Sequence, residues 1–209
     1  MKNYGLEAKW HDLADNLGVS PDVQAKLDGT MLQLSQHHLP TAEHCMRVGM
    51  SAVRIGTFRG LPLKPLFYGG SLHDRGKLMV DTERLSKTTD WTLEDAQALR
   101  IHPIAGYEMI LEEGMVVTAG LVLRHHTFQP NGYPDELPTA PPYMTEDFNA
   151  CARTIALADY YDAAHRSNSE GKTSGLDIKA KVQNHNPDLT ELIEDLYTVG
   201  IFDTETRPF

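Results

Sequence analysis

Apolar residues in this chain recur at spacings of three and four over most of its length, and strict apolar–polar alternation is essentially absent. That periodicity commits the chain to helices packed on helices rather than to a sheet. Leu6 to Leu17 forms a short amphipathic stretch. Ser20-Pro21 then supplies an N-cap and a proline at the first helical position, ahead of Val23, Leu27, Met31 and Leu34 on one face. Pro40-Thr41 opens a further helix that carries Val48, Ala52 and Ile55 and ends near Gly60. Thr92-Leu93-Glu94-Asp95 reads as a capping signal before a helix through Ile110. Later helices are expected over Val116 to about His126, Glu146–Ala164, Leu176–Gln183 and Leu189–Val199. The expected architecture is an all-α bundle, with a helical N-terminal extension over residues 1–36 and the main domain over 37–209. The Gly- and Pro-rich stretch Gln129–Pro142 reads as a long loop between helices, of a length that often carries function.

Charge narrows the partners. Lys and Arg number 19 against 29 Asp and Glu, a net charge of −10. Nucleic acid and anionic membranes need clustered basic residues, so neither is expected as a partner. One small anionic ligand remains compatible if metal ions supply positive charge locally. No stretch approaches the ~20 apolar residues of a membrane span, and Met1-Lys2-Asn3-Tyr4-Gly5 does not open a secretory signal. The two cysteines, Cys45 and Cys151, lack CxxC spacing and read as buried reduced thiols, which points to a cytoplasmic protein.

Ten histidines need an explanation. In chain order the candidate metal ligands are His44, His73, Asp74, His102, His125, His126 and Asp159. Imidazole and carboxylate together suit divalent metals such as Mn, Fe, Zn, Ni or Mg. Seven donors exceed what one tetrahedral ion needs and suffice for two ions if Asp74 bridges them. Helical bundles build such centres from side chains that project inward from different helices. His11, His37, His38, His165 and His185 lack comparable local context and are read as hydrogen-bonded or surface residues.

The ordered set His44, His73-Asp74-Arg75-Gly76-Lys77, His102-Pro103-Ile104-Ala105-Gly106, His125-His126, Gly132-Tyr133-Pro134 and Ala158-Asp159-Tyr160-Tyr161-Asp162-Ala163 resembles the HD-GYP subgroup of the HD-domain metal-dependent phosphohydrolases, over about residues 40–165. Leu85-Ser86-Lys87 and Thr92-Leu93-Glu94-Asp95 fit the same pattern. The resemblance implies an HD-type bundle with a metal centre in its core and a phosphodiesterase of a cyclic dinucleotide, most often cyclic di-GMP. It implies the seven residues above as metal ligands, with Asp74 and Lys77 catalytic. Lys77 would contact the scissile phosphate, and Arg166 and Tyr133 join it as expected substrate contacts. The Gly132-Tyr133-Pro134 loop is a candidate docking site for a signalling partner, or only a turn to which Gly132 lends an unusual dihedral. Asp162, on the helical face of Asp159, is open to ligation or to support of a ligand, and Arg75 to substrate or to a surface acid.

Three positions depart from that pattern. Pro40 stands where members with a third metal have a glutamate, so two divalent ions, Fe, Mn or another transition metal, are expected. Glu43, next to His44, should point elsewhere on the helix. Thr127 replaces an acidic residue after the double histidine, and Asn168 replaces a basic residue, with Arg166 and Lys172 nearby. Two other readings stay open: a phosphohydrolase of another nucleotide or phosphomonoester, and a catalytically weak signalling or interaction module.

Overall fold

A computed structural model describes residues 4–137, 146–169 and 178–203, excluding the side chains of residues 4, 146 and 166–169. Ten α-helices and no strand occur among the described residues: α1 Tyr4–Asn16, α2 Pro21–Arg59, α3 Leu63–Leu72, α4 Thr82–Leu85, α5 Leu93–Leu99, α6 His102–Glu112, α7 Val116–Arg124, α8 Glu146–Ser169, α9 Ile178–His185 and α10 Thr190–Thr198. The expected all-α class holds. Ser20 caps α2 by accepting a hydrogen bond from the Val23 amide, and Gly60 ends it in the left-handed conformation at φ 69°.

The local reading differs from the structure at several places, the short unexpected α4 among them. The break expected at Pro40 lies at His38 (φ −153°, ψ 94°), so α2 runs 39 residues across a kink. Proline removes one intrahelical bond and its ring crowds the preceding turn, which bends the helix just before it without ending it. The single helix expected through Ile110 is two, α5 and α6, because Pro103 cannot donate to the preceding turn and restarts the helix at His102. Helix α3 was not expected at all. Its sequence, Leu63-Lys64-Pro65-Leu66-Phe67-Tyr68-Gly69-Gly70-Ser71-Leu72, carries a proline and two adjacent glycines that speak against a helix locally.

Packing explains those glycines. A Cβ on Gly70 would lie 2.8 Å from the Gly49 Cα, and one on Gly49 would lie 2.3 Å from the Ser71 hydroxyl. The backbones of α2 and α3 therefore touch, which brings His44 and His73 to one place. Two apolar clusters flank this contact. Leu6, Trp10, Leu34, Phe67 and Ile110 belong to one; Ile55, Leu66, Ile155, Leu157 and Ile193 belong to the other. Both draw on α2, α3 and α7. Trp10, fully buried, donates from its indole nitrogen to Ser71 Oγ at 2.9 Å and so ties α1 to the helix that ends at His73.

After α3 the chain makes a tight 3-10 turn, Arg75–Met79, that packs on α6. Gly76 sits where a Cβ would fall 1.9 Å from the His102 carbonyl oxygen and 2.6 Å from the Gly106 amide nitrogen, both backbone atoms. Gly76→Ala is expected to lower stability by about 2–4 kcal/mol, as overpacking against backbone does. The midpoint of urea denaturation checks it; an unchanged midpoint would mean the turn is free to move off α6.

Candidate metal centre

The buried centre is assembled mainly at helix ends. His44 projects from within α2, while His73 caps the C-terminus of α3 and Asp74 follows at once. His102 is the first residue of α6, and His125 caps α7 with His126 next to it. Asp159 comes from α8. The last turn of a helix leaves carbonyls without intrahelical partners, and three rings use them. His73 Nδ1 faces the Gly70 carbonyl at 2.8 Å, His102 Nδ1 the Leu99 carbonyl at 2.6 Å, and His125 Nδ1 the Val122 carbonyl at 2.5 Å. A carbonyl only accepts, so each Nδ1 carries a proton and each ring turns its Nε2 inward. His44 is fixed likewise: its Nδ1 donates to Asp162 at 2.7 Å, and Asp162 accepts from Arg47 Nε at 2.6 Å.

The inward nitrogens face one another. His44 Nε2 and His73 Nε2 lie 3.2 Å apart, and His102 Nε2 and His125 Nε2 lie 3.1 Å apart. Between two acceptors such a distance is repulsive unless a proton or a cation sits nearby. Donor atoms of His44, His73 and Asp159 fall within 4.8 Å of one another, and so do those of His102, His125 and His126. Asp74 stands between these groups. Its Oδ2 is 3.4 Å from His73 Nε2 and 3.7 Å from His44 Nε2, while its Oδ1 is 3.3 Å from His102 Nε2. That Oδ1 is buried and lacks a hydrogen-bond partner. Two nitrogen-and-oxygen groups joined by a carboxylate with an unsatisfied buried oxygen fit a pair of divalent cations. Cys45 also lies within reach of His73 and Asp74, but burial raises its pKa and keeps it a thiol.

Electrostatics agree with this donor set. Burial alone would raise Asp74, yet the Lys77 ammonium and His73 hold it well below the usual carboxylate range. Burial likewise opposes ionisation of Asp159, which His44 and His73 outweigh. Burial pushes His102 down to about 3 and His125 down to about 4, and it drives His126 well below its ordinary value. His73 goes the other way, raised by Asp74 against its own burial. Lys77, from the 3-10 turn, places its ammonium 2.5 Å from Asp74 Oδ2.

The structure brings all seven expected ligand residues together. His11 instead meets Asp28, His37 the Val80 carbonyl and His38 the Thr41 hydroxyl. His165 packs edge-on against Tyr161, and His185 stacks on Tyr160. Arg75 turns toward Glu113, and Glu43 toward Arg47 at 3.9 Å. Asp162 supports His44 through its ring, and Arg47 behind it was missed although it sits one helical turn after His44. Tyr133 stacks on His126 with centroids 4.6 Å apart, and the Arg100 guanidinium lies 4.5 Å from its ring centroid. Gly132 has no positive φ; a Cβ there would meet the Thr127 carbonyl oxygen at 2.6 Å, so close approach and not an unusual dihedral calls for glycine. The side chains of Arg166 and Asn168, and all of Lys172, lie outside the described residues.

Residues 41–164 match the HD domain family, a span that holds every residue of the centre. The chain belongs to that family. Among curated proteins, this chain is 33% identical over 96 residues to the cyclic di-GMP phosphodiesterase response regulator RpfG of Xanthomonas campestris pv. campestris (strain 8004). That match covers 44% of this chain and 24% of the relative, so the chain spans about a quarter of its length. Among solved structures, the HD domain of L. monocytogenes phosphodiesterase PgpH in complex with cyclic-di-AMP superposes with a TM-score of 0.60 at 17% identity, covering 83% of this chain and 97% of that one. A second structure of the L. monocytogenes PgpH HD domain gives a TM-score of 0.56 at 17% identity, covering 83% of this chain and 86% of that one. These likenesses establish a shared fold.

The depressed histidines make the metal-stripped protein acid-sensitive. Unfolded, each imidazole takes a proton below about pH 6.5. Folded, His102 and His125 refuse one until about 3 and about 4. The unfolded state therefore binds more protons through that window, and stability falls as pH drops. His73, raised, runs the other way: the folded ring holds its proton throughout, while the unfolded ring takes one up only as pH falls through about 6.5, so it offsets part of that loss. Urea denaturation of chelator-treated protein should show a loss of about 2 kcal/mol for each of the two rings between pH 7 and pH 5. Equal stability at both pH values would contradict the buried neutral rings.

Proposed function

We propose that this HD domain is a metal-dependent phosphohydrolase that cleaves a phosphodiester bond of a cyclic dinucleotide, with cyclic di-GMP as the first candidate. The observation that carries the reading is Asp74: one carboxylate faces both donor groups, and Lys77 reaches the same carboxylate. His44, His73 and Asp159 would hold one divalent ion and His102, His125 and His126 the other, with Asp74 bridging. Iron or manganese suits the mixed imidazole and carboxylate donors. When bound, two such ions polarise phosphoryl oxygens and make water acidic enough to attack near neutral pH.

The chain's own residues do the rest. Asp74 stays ionised at neutral pH, so it would hold the cations and orient an attacking water. Lys77 brings a compact ammonium to the edge of the centre, where it neutralises charge that builds on the phosphate during in-line displacement. Tyr133 borders the His126 side, and Arg166 is a proposed contact to the nucleotide. Cyclic di-GMP gains support from the 33% identity to RpfG, and the PgpH likeness makes cyclic di-AMP the natural comparison substrate. We assign this activity to residues 37–209, with 1–36 as an extension, and place the protein in the cytoplasm, consistent with its two free, buried cysteines. No helix among the described residues is long and apolar enough to cross a membrane. The Gly132-Tyr133-Pro134 loop is the proposed docking site for a signalling partner.

The test is turnover by protein reloaded with Mn²⁺ or Fe²⁺, given cyclic di-GMP, cyclic di-AMP and mononucleotides in parallel. Cleavage of a cyclic dinucleotide is expected. Hydrolysis of mononucleotides alone would overturn the substrate class, and no hydrolysis by fully loaded protein would overturn the enzyme. Asp74→Ala should abolish turnover with the helical circular-dichroism signal intact. Lys77→Ala should lower the rate about 10²–10³-fold at unchanged metal content; a rate near wild type would remove Lys77 from the chemistry.

A further inference from the structure

Four of the five imidazoles in the centre present Nδ1 to a group that can only accept: three backbone carbonyls and the Asp162 carboxylate. His126 differs. Its Nδ1 meets the side-chain amide of Gln129, 2.5 Å from the amide nitrogen. A carboxamide offers either a donor or an acceptor, and a half-turn about its last bond exchanges the two with almost no change of shape. With the NH₂ group on Nδ1, the proton of the neutral ring sits on Nε2. With the carbonyl oxygen there, the proton sits on Nδ1 and Nε2 is bare.

Loop geometry places this amide. The residue that the HD-GYP resemblance would make acidic is Thr127, and its hydroxyl is committed to the Arg124 carbonyl at 2.8 Å. The backbone then folds back on His126: the amides of Gln129 and Tyr133 approach the His126 carbonyl oxygen at 3.3 and 3.4 Å. The absence of a Cβ at Gly132 lets the return segment pass the Thr127 carbonyl. Tyr133 lies along the His126 ring, so the plane is held by stacking while the edge is held by Gln129.

We infer that Gln129 is the positioning residue for His126, standing in for the missing acid at Thr127, and that its carbonyl oxygen turns onto Nδ1–H when Nε2 binds a cation. This rests on the two-cation reading above. Gln129 supplies from two residues further along the loop the acceptor that a neighbouring carboxylate would otherwise supply. The centre thereby gains the same inward-facing nitrogen at all five rings, with a side-chain amide doing at His126 what backbone carbonyls do at three rings and Asp162 does at His44.

Mn²⁺ titration by calorimetry tests it with wild type, Gln129→Leu and Gln129→Glu, alongside urea denaturation of the metal-free proteins. Gln129 is only half-buried, so both variants should fold with midpoints near wild type. Gln129→Leu should weaken one Mn²⁺ site by about 10–100-fold and leave the other unchanged. Gln129→Glu, which can only accept, should match wild type or bind more tightly. In the Zn²⁺-loaded wild type, long-range ¹⁵N–¹H spectra should show the His126 proton on Nδ1. Unchanged affinity in Gln129→Leu would overturn the inference, and so would Gln129→Glu binding as weakly as Gln129→Leu. Wild-type protein that binds no Mn²⁺ would overturn the two-cation reading itself, and the role of Gln129 with it.

Discussion

Carbonyls left without partners at helix C-termini decide how the centre of this protein is built. Each would demand water or a cap if its helix simply ended in solvent. Here the end of α3 receives the Nδ1–H of His73, the end of α7 that of His125, and the end of α5 that of His102, which opens the next helix. One hydrogen bond therefore satisfies a helix and selects a tautomer at the same time. The contact of Gly49 with Gly70 and the seat of Gly76 against the His102 carbonyl matter because they bring these helix ends together.

What converges is charged and buried. Asp74, Asp159 and Asp162 are all buried and all held ionised, against the cost of removing charge from water. Lys77 answers Asp74 and Arg47 answers Asp162, while Asp159 relies on His44 and His73. His102, His125 and His126 are kept neutral by the same burial. Buried carboxylates and imidazole nitrogens that meet one another across the centre, with one Asp74 oxygen left unpartnered, favour cations over a hydrogen-bonded core.

Much of this was legible in the chain before any coordinates. Helical periodicity exposed the class, Ser20 and Thr92 marked helix starts, and the ordered histidines and aspartates identified the residues that meet. Helix α3 was hidden because Gly69 and Gly70 are poor helix formers chosen for contact with other helices, a reason that lies elsewhere in the chain. The split between α5 and α6 turned on Pro103, whose effect depends on where the neighbouring helix axis must go. Arg47 and Gln129 escaped for a related cause. Their roles depend on what stands opposite them in space: Asp162 lies 115 residues away from Arg47, and Gln129 needs a loop that doubles back on itself.

The donor groups come from α2, α6 and α8 and from the residues that directly follow α3 and α7, between positions 44 and 159. No segment of the chain holds more than a fragment of either donor group together with Asp74. Folding and the acquisition of a complete centre are thus a single event: a nascent or partly unfolded chain is chemically silent, and a finished one announces itself by what it can hold. The centre works as a checksum on the bundle, read by whichever ion arrives.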